Sequence, residues 1–355
     1  MFTTASSPAG ESSHDPGLGF GRVFTDHLTS MSWTTDGWER PQVRPFHNLS
    51  LSPATMVLHY GQAIFEGLKA YPHPDGEIRL FRPELNARRF QLSADRMAMP
   101  ELPVDDFLDC VSLLVSTDRS QVPDRPGHSL YLRPLMIATE ATLGTRPAEE
   151  YLFLVIGSPS GPYFNGASPA ITVWVSEDLP RAHPGGTGNA KCAGNYAAGM
   201  AVQRTAAEHG ADQVVFLDAH EHRYLEELGG MNLFLVRQDS RGTTLVTPPL
   251  SDTILHGITR ASLLTLAADL GLEVEERPIT LAEWRDGSDD GSVTESFACG
   301  TAAVVTPIGR VRTSAGEFVI GDGTPGEWSA RLRTELLAIQ EGTTPDRHGW
   351  MRVVS

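Results

Sequence analysis

Lys191 lies in the run Gly185-Gly186-Thr187-Gly188-Asn189-Ala190-Lys191-Cys192-Ala193-Gly194-Asn195-Tyr196, a small-residue stretch that lets a flat ring lie against the backbone. Only two of the chain's 28 basic side chains are lysines, Lys191 and Lys69; the others are arginines. A guanidinium never deprotonates in a protein, whereas a lysine amine can, and can then attack a carbonyl to form a Schiff base. A lysine retained in such a run is a candidate for that chemistry. The other, in Ile64-Phe65-Glu66-Gly67-Leu68-Lys69-Ala70-Tyr71, has no turn or phosphate-cup residue around it and reads as structural.

A Schiff-base lysine needs a carbonyl partner, and pyridoxal phosphate is the commonest. Its phosphate asks for backbone amides at a helix N-terminus and a fixed cation; its ring nitrogen asks for a carboxylate; its phenolic oxygen asks for a donor. Gly257-Ile258-Thr259 opens a predicted helix whose amides would face an anion, unless it is an ordinary first turn. Gly300-Thr301-Ala302 is a second small-residue turn, either an anion contact or a tight packing contact. Glu226 and Glu227 are adjacent on a predicted strand, so they should face opposite ways, one solvated and one inward. Tyr196, five residues after Lys191, can reach the same ring edge.

The elements that must hold these groups are legible in part. Trp33 to Phe81 is strand- and turn-like, with Gly61 to Lys69 read as a short helical or irregular segment and Glu77 to Phe81 as a strand. Helical spacing runs through Pro83–Met99 and Asp105–Val115, and Ser129–Ile137 and Tyr151–Ile156 read as buried strands. The Gly-, Pro- and Ser-dense run 157–169 is the best linker candidate. Beyond it, strands at Ile171–Ser176, Gln213–Leu217, Tyr224–Leu228 and Leu233–Arg237 alternate with helices at Tyr196–Glu208 and Ile258–Leu270. A final helix covers Glu327–Gln340. This is an α+β or α/β pattern in two domains.

With 355 residues there is room for two domains. A net charge of −16 argues against a wholesale polyanion binder, and so against nucleic acid. No apolar run approaches the roughly 20 residues that span a bilayer. Residues 1–17 read as a disordered tail without the basic and apolar regions of a secretory signal. Three scattered cysteines fit a reducing, cytoplasmic setting with no disulfide framework. The twelve histidines form no helical His-Glu-x-x-His pattern, so no metal site is expected.

Taken together, several strings make a family resemblance. These are Phe24-Thr25-Asp26-His27, Phe65-Glu66-Gly67-Leu68-Lys69-Ala70, Leu130-Tyr131-Leu132-Arg133-Pro134, Gly161-Pro162-Tyr163-Phe164, Gly185-Gly186-Thr187-Gly188, Gly194-Asn195-Tyr196, Gly229-Gly230-Met231-Asn232-Leu233-Phe234 and Cys299-Gly300-Thr301-Ala302. In this order, from about Gly19 to Trp350, the chain resembles the branched-chain amino acid aminotransferases, fold-type IV pyridoxal-phosphate enzymes. It looks closest to bacterial relatives of the animal-type enzymes.

The resemblance implies a small N-terminal α/β domain (18–164), a connector (165–177) and a larger C-terminal pseudo-barrel domain (178–355). It implies pyridoxal 5'-phosphate held by Lys191, with Glu227 rather than Glu226 at the ring nitrogen and Tyr196 at the ring oxygen. Arg89, Ile258, Thr259 and Thr301 would hold the phosphate. Tyr60 and the Thr301–Ala302 amides match the α-carboxylate site; Phe20, Phe65, Tyr131 and Tyr163 resemble the apolar pocket; Arg133 resembles the arginine that admits glutamate's second carboxylate. The implied activity is ping-pong transamination of L-leucine, L-isoleucine and L-valine with 2-oxoglutarate, in a homodimer. A specialised enzyme for an unusual branched or β-methyl amino acid, a D-amino acid aminotransferase and an aminodeoxychorismate lyase are the alternatives. The chain departs from the family pattern at Ala193, Gly230 and His256. At Ala303 and Thr306 it lacks the CxxC pair of the animal enzymes, so no thiol switch is expected.

Overall fold

A computed structural model describes residues 20–161 and 170–354; the expected tail and Tyr163 lie outside these residues. The chain forms two sheets in sequence order. The first contains β1 (His27–Thr34), β2 (Gly37–Trp38), β3 (Gln42–Pro45), β4 (Ala63–Phe65), β5 (Leu68–Pro72), β6 (Ile78–Phe81), β7 (Ser129–Ala138) and β8 (Tyr151–Ser160). The C-terminal strand Met351–Val353 returns to pair with β6. A four-residue helix, α1 (Val57–Tyr60), precedes β4.

Helices α2 (Pro83–Arg96) and α3 (Val104–Thr117) cover one face of this sheet. Proline at the start of α2 loses no needed amide there. Apolar residues at helical spacing (Phe107, Leu108, Val111, Leu114 and Val115 in α3) bury one stripe of each helix. Phe90, Phe107 and Phe153 meet at ring-centroid distances of 5.4 to 5.9 Å, each pair tilted or edge-on, where the ring quadrupoles attract.

The segment 61–69 is extended rather than helical. Gly61, at φ 62°, ends α1, and β4 and β5 then pair with β7. The pairing partner lies some 70 residues away in sequence, which a local reading does not see.

The second sheet contains β9 (Ile171–Ser176), β10 (Gln213–Leu217), β11 (Leu225–Leu228), β12 (Met231–Asp239), β13 (Gly242–Thr247), β14 (Glu273–Glu276), β15 (Val293–Gly300), β16 (Val304–Thr313) and β17 (Gly316–Val319). Its path runs β11-β10-β9-β16-β15-β12, and β12 pairs back onto β11, so these strands close into a barrel. Residues 157–160 and 171–176 are therefore sheet, not connector: the first sheet keeps its chain to Ser160 and the second takes it up at Ile171.

Helix α4 (Ala193–Glu208) packs on β10 through Val202 and Ala206. Helix α6 (Leu281–Asp290), capped by the Thr280 hydroxyl, adds Trp284 to the core shared with β9, β11 and β16. Helices α5 (Ile258–Asp269) and α7 (Glu327–Gln340) share a further core with β12 and β15. No described helix is long and apolar enough to cross a membrane.

Candidate active site

The Lys191 backbone is pinned from the first-sheet side. Its amide donates to Ser93 Oγ of α2 at 2.9 Å, and its carbonyl accepts from Phe65 of β4 at 3.0 Å. Asn195, in the first turn of α4, staples the preceding loop. Its Nδ2 donates to the Thr187 and Ala190 carbonyls at 2.7 and 2.9 Å, and its Oδ1 accepts from the Thr187 hydroxyl at 2.7 Å. Two turns of small residues therefore hold one backbone geometry just before a helix start.

The Lys191 side chain meets the groups expected of it. Nζ donates to Tyr196 Oη at 2.8 Å and stands 5.0 Å from the Phe65 ring centroid. Phe65 and Tyr196 pack at 4.9 Å. Arg133 lies over Phe65 at 4.7 Å and Tyr131 at 5.4 Å, and its Nη2 donates to Tyr131 Oη at 3.1 Å. Its Nε is buried with no hydrogen-bond partner among the described residues. Phe20 completes the patch edge-on to Tyr131 at 4.7 Å. Gly67 makes room for this arrangement: a Cβ there would meet Tyr131 Oη at 2.2 Å.

Glu227 lies within electrostatic reach of Lys191. Its carboxylate pairs with Arg181 at 2.6 Å and accepts from Asn232 Nδ2 at 3.1 Å. Burial pushes its carboxyl up to about 7, against the pull of Arg181 and of Lys191. Glu226 is buried too, which corrects the expectation that one of the pair is solvated. Residues 251–255 cover this strand, where Thr253 donates to Glu226 and Leu255 contacts Glu227. Burial also raises the Glu226 carboxyl, and its Oε2 has no partner among the described residues.

The expected phosphate cup gathers at the start of α5. No side chain caps this helix, so its first-turn amides are left to another acceptor. Gly257 is required there, since a Cβ would fall 1.9 Å from Asn232 Oδ1. Arg89 Nη1 donates to the His256 carbonyl at 2.9 Å, beside this turn. The rest of Arg89 is engaged by Glu66: Nε and Nη2 donate to its two oxygens at 2.7 and 2.8 Å. Burial alone would raise the Glu66 carboxyl, but the charge and hydrogen bonds of Arg89 hold it below the usual carboxylate range. Thr301 shares a small cavity with Ile258 and Thr259. Ala302 follows it in the β15–β16 turn, its carbonyl accepting from Lys69 Nζ at 3.1 Å.

One expected residue stands elsewhere. Tyr60 is 43 % exposed and its hydroxyl donates to the Leu143 carbonyl at 2.6 Å, on a surface where Leu143 is itself 64 % exposed. Sequence reasoning missed Arg181, Glu66, Asn195 and Asn232 as holders of the groups it named. Three of these stood inside the quoted strings; Arg181 carried no local signal.

Comparisons with known proteins place the chain in a family. Residues 63–311 match the family described as Amino-transferase class IV. The branched-chain-amino-acid aminotransferase of Mycolicibacterium smegmatis is 54% identical over 335 residues, 94% of this chain and 91% of that protein. The crystal structure of the Escherichia coli branched-chain amino acid aminotransferase superposes with a TM-score of 0.77 at 26% identity, covering 93% of this chain and 100% of that one. The T.th. branched-chain amino acid aminotransferase, solved with pyridoxamine 5'-phosphate, gives 0.74 at 27%, covering 92% and 99%. The chain belongs to the class IV aminotransferases, and within them to the branched-chain-amino-acid aminotransferases.

Proposed function

We propose that this chain exchanges the amino group of L-leucine, L-isoleucine or L-valine with 2-oxoglutarate, giving branched 2-oxo acids and L-glutamate in ping-pong alternation, with pyridoxal 5'-phosphate as cofactor. The observation that carries this reading is the Lys191–Tyr196 contact, set between an aromatic wall with one guanidinium and a buried carboxylate.

The residues fit that cofactor on their own chemistry. Lys191 offers the amine, Tyr196 a hydroxyl for a ring oxygen, Glu227 a buried carboxylate for a ring nitrogen, and the uncapped start of α5 an anion seat at Ile258 and Thr259. Thr301 and the charge of Arg89, held beside this turn by Glu66 and the His256 carbonyl, complete that seat. When bound, the cofactor supplies an electron sink for the charge left on the substrate Cα.

The chain's own groups do the rest. Lys191 is the base that takes the proton from the substrate Cα and returns it. Asn232 and Arg181 hold the Glu227 oxygens in place, so the carboxylate can keep a proton on a ring nitrogen. Tyr196 orients the Lys191 amine. Thr301 and Ala302 receive the α-carboxylate through backbone amides. Phe20, Phe65, Tyr131 and Tyr163 take the branched side chain by apolar fit. One methylene is worth only about 1–3 kcal/mol in such a pocket, so all three branched substrates should be accepted. Arg133, with its unpartnered Nε, provides for the second carboxylate of glutamate. Tyr60 stands apart from this group within one chain. Its exposure, and that of Leu143, fit the second copy of a homodimer, the assembly we carry over from the family. The three buried free thiols fit a cytoplasmic setting.

The test is an absorbance titration of the purified holoprotein. L-leucine should remove the visible cofactor band and 2-oxoglutarate should restore it, with D-alanine inert. A band that D-alanine bleaches and L-leucine does not would discard the substrate class; a protein that takes up no cofactor would discard the reading whole.

A further inference from the structure

The β15–β16 hairpin turns through Thr301, Ala302 and Ala303, with Gly300 paired to Val304. Three-residue hairpin loops commonly place their last turn residue, or the one after it, in the left-handed region, where glycine is the comfortable choice. Here Val304 takes that conformation, at φ 61°. A β-branched residue adopts it only where surrounding contacts impose it.

Two cations supply those contacts. Lys69 reaches from β5 of the first sheet, and its Nζ takes the Ala302 carbonyl at 3.1 Å. Arg333 of α7 takes the Ala303 and Val305 carbonyls through Nη1 at 3.2 and 3.3 Å. Three of the four carbonyls from Ala302 to Val305 are thus drawn toward one buried and one half-buried cation. In a trans peptide the N–H points opposite to the carbonyl before it, so these contacts fix the planes of the 302–303, 303–304 and 305–306 peptides and, through the closed hairpin, the path of the turn that carries the Thr301 and Ala302 amides. Lys69 is only 8 % exposed. Burial and the neighbouring Arg333 lower its amine to about 8, the mark of a charge kept in an unfavourable place. Behind it a cavity of about 30 Å³, large enough for water, is bordered by Tyr71, Ser129 and Glu341.

We propose that Lys69 and Arg333 are positioning residues for the substrate α-carboxylate: they hold the strained 301–304 turn in the one conformation that presents its amides. Lys69 is then more than the packing residue its sequence context indicates, since it also fixes part of the C-terminal half of the site from the first sheet. This rests on the reading of Thr301 and Ala302 as the carboxylate seat.

Lys69→Met keeps the apolar stem and removes the donor; Lys69→Arg restores a donor. The holoenzymes are compared for KM and kcat with L-leucine and 2-oxoglutarate, for inhibition by 4-methylvalerate, and for cofactor content. Lys69→Met should raise both KM values and the 4-methylvalerate inhibition constant together, on the order of tenfold, because all three ligands carry the same carboxylate. Its kcat and cofactor content should stay close to wild type, and Lys69→Arg should recover most of the loss. Unchanged KM values, or kcat and cofactor content falling in step with them, would overturn the proposal. If Lys69→Met does not fold, Arg333→Gln carries the same test with the same two outcomes. A wild-type protein that does not respond to L-leucine would instead overturn the functional reading.

Discussion

The two walls of the site are built from different chemistry. The wall from the first sheet is aromatic carbon: Phe65, Tyr131 and Phe20, with one guanidinium laid over the ring faces. The wall from the second sheet is ionic and buried: Glu227 with Arg181 and Asn232, next to an uncapped helix start. Rings and a lone arginine discriminate by shape and by one charge, so changes there should depend on the substrate. A buried ion pair fixes protonation, so changes there should strike every substrate alike. On the proposed reading, selection and chemistry fall to different sheets, with Lys191 tied to the first through Ser93 and Phe65 and to the second through Tyr196 of α4.

The contrast is tested most severely at its centre. Lys191→Ala should abolish turnover with every amino acid in a steady-state assay; normal turnover would end the assignment. Glu227→Gln should come next, cutting kcat by roughly 10²-fold or more for leucine and glutamate alike while cofactor content holds. An unchanged rate would point to Glu226, whose own Gln variant should be mild.

Arg181→Met probes the same wall through stability. It strands a carboxylate that is 2 % exposed, and breaking such a buried pair costs about 3–5 kcal/mol. Thermal melts should show a clear loss; a melting point equal to wild type would mean that the pair contributes nothing.

The smallest effect concerns pH. In cofactor-free protein the Glu227 carboxyl is raised from 4.5 to about 7. A group raised on folding contributes stability that is full below its unfolded value and lost as pH rises through the folded one. The melting temperature of Glu227→Gln relative to wild type should therefore climb between pH 5 and pH 8. A flat difference would show that Glu227 is ionised throughout.

Much of the scaffold was readable locally. The runs Ile171–Ser176, Gln213–Leu217 and Glu327–Gln340 form the two strands and the helix expected of them, residue for residue. Each is an apolar pattern of one period between clear breakers. The strands β15 and β16 were passed over, because Val293–Gly300 is buried along nearly its whole length and so shows no alternation. The segment 61–69 was misread because its partner β7 is remote in sequence. At the site, groups that act as single residues stood out by type, as Lys191 did in an arginine-rich chain. Groups that act through a partner did not. Nothing near Arg181 announces Glu227, and nothing near Lys69 announces Ala302, since both contacts exist only once the sheets have formed.

The division of labour is tested most directly by single-turnover half-reactions of Arg133→Met with L-leucine and with L-glutamate. The account predicts that the leucine rate stays close to wild type while the glutamate rate drops roughly 10- to 100-fold, the worth of hydrogen bonds to a charged group. Equal losses for both substrates would contradict it, because the first-sheet wall would then serve the chemistry and not the choice of substrate.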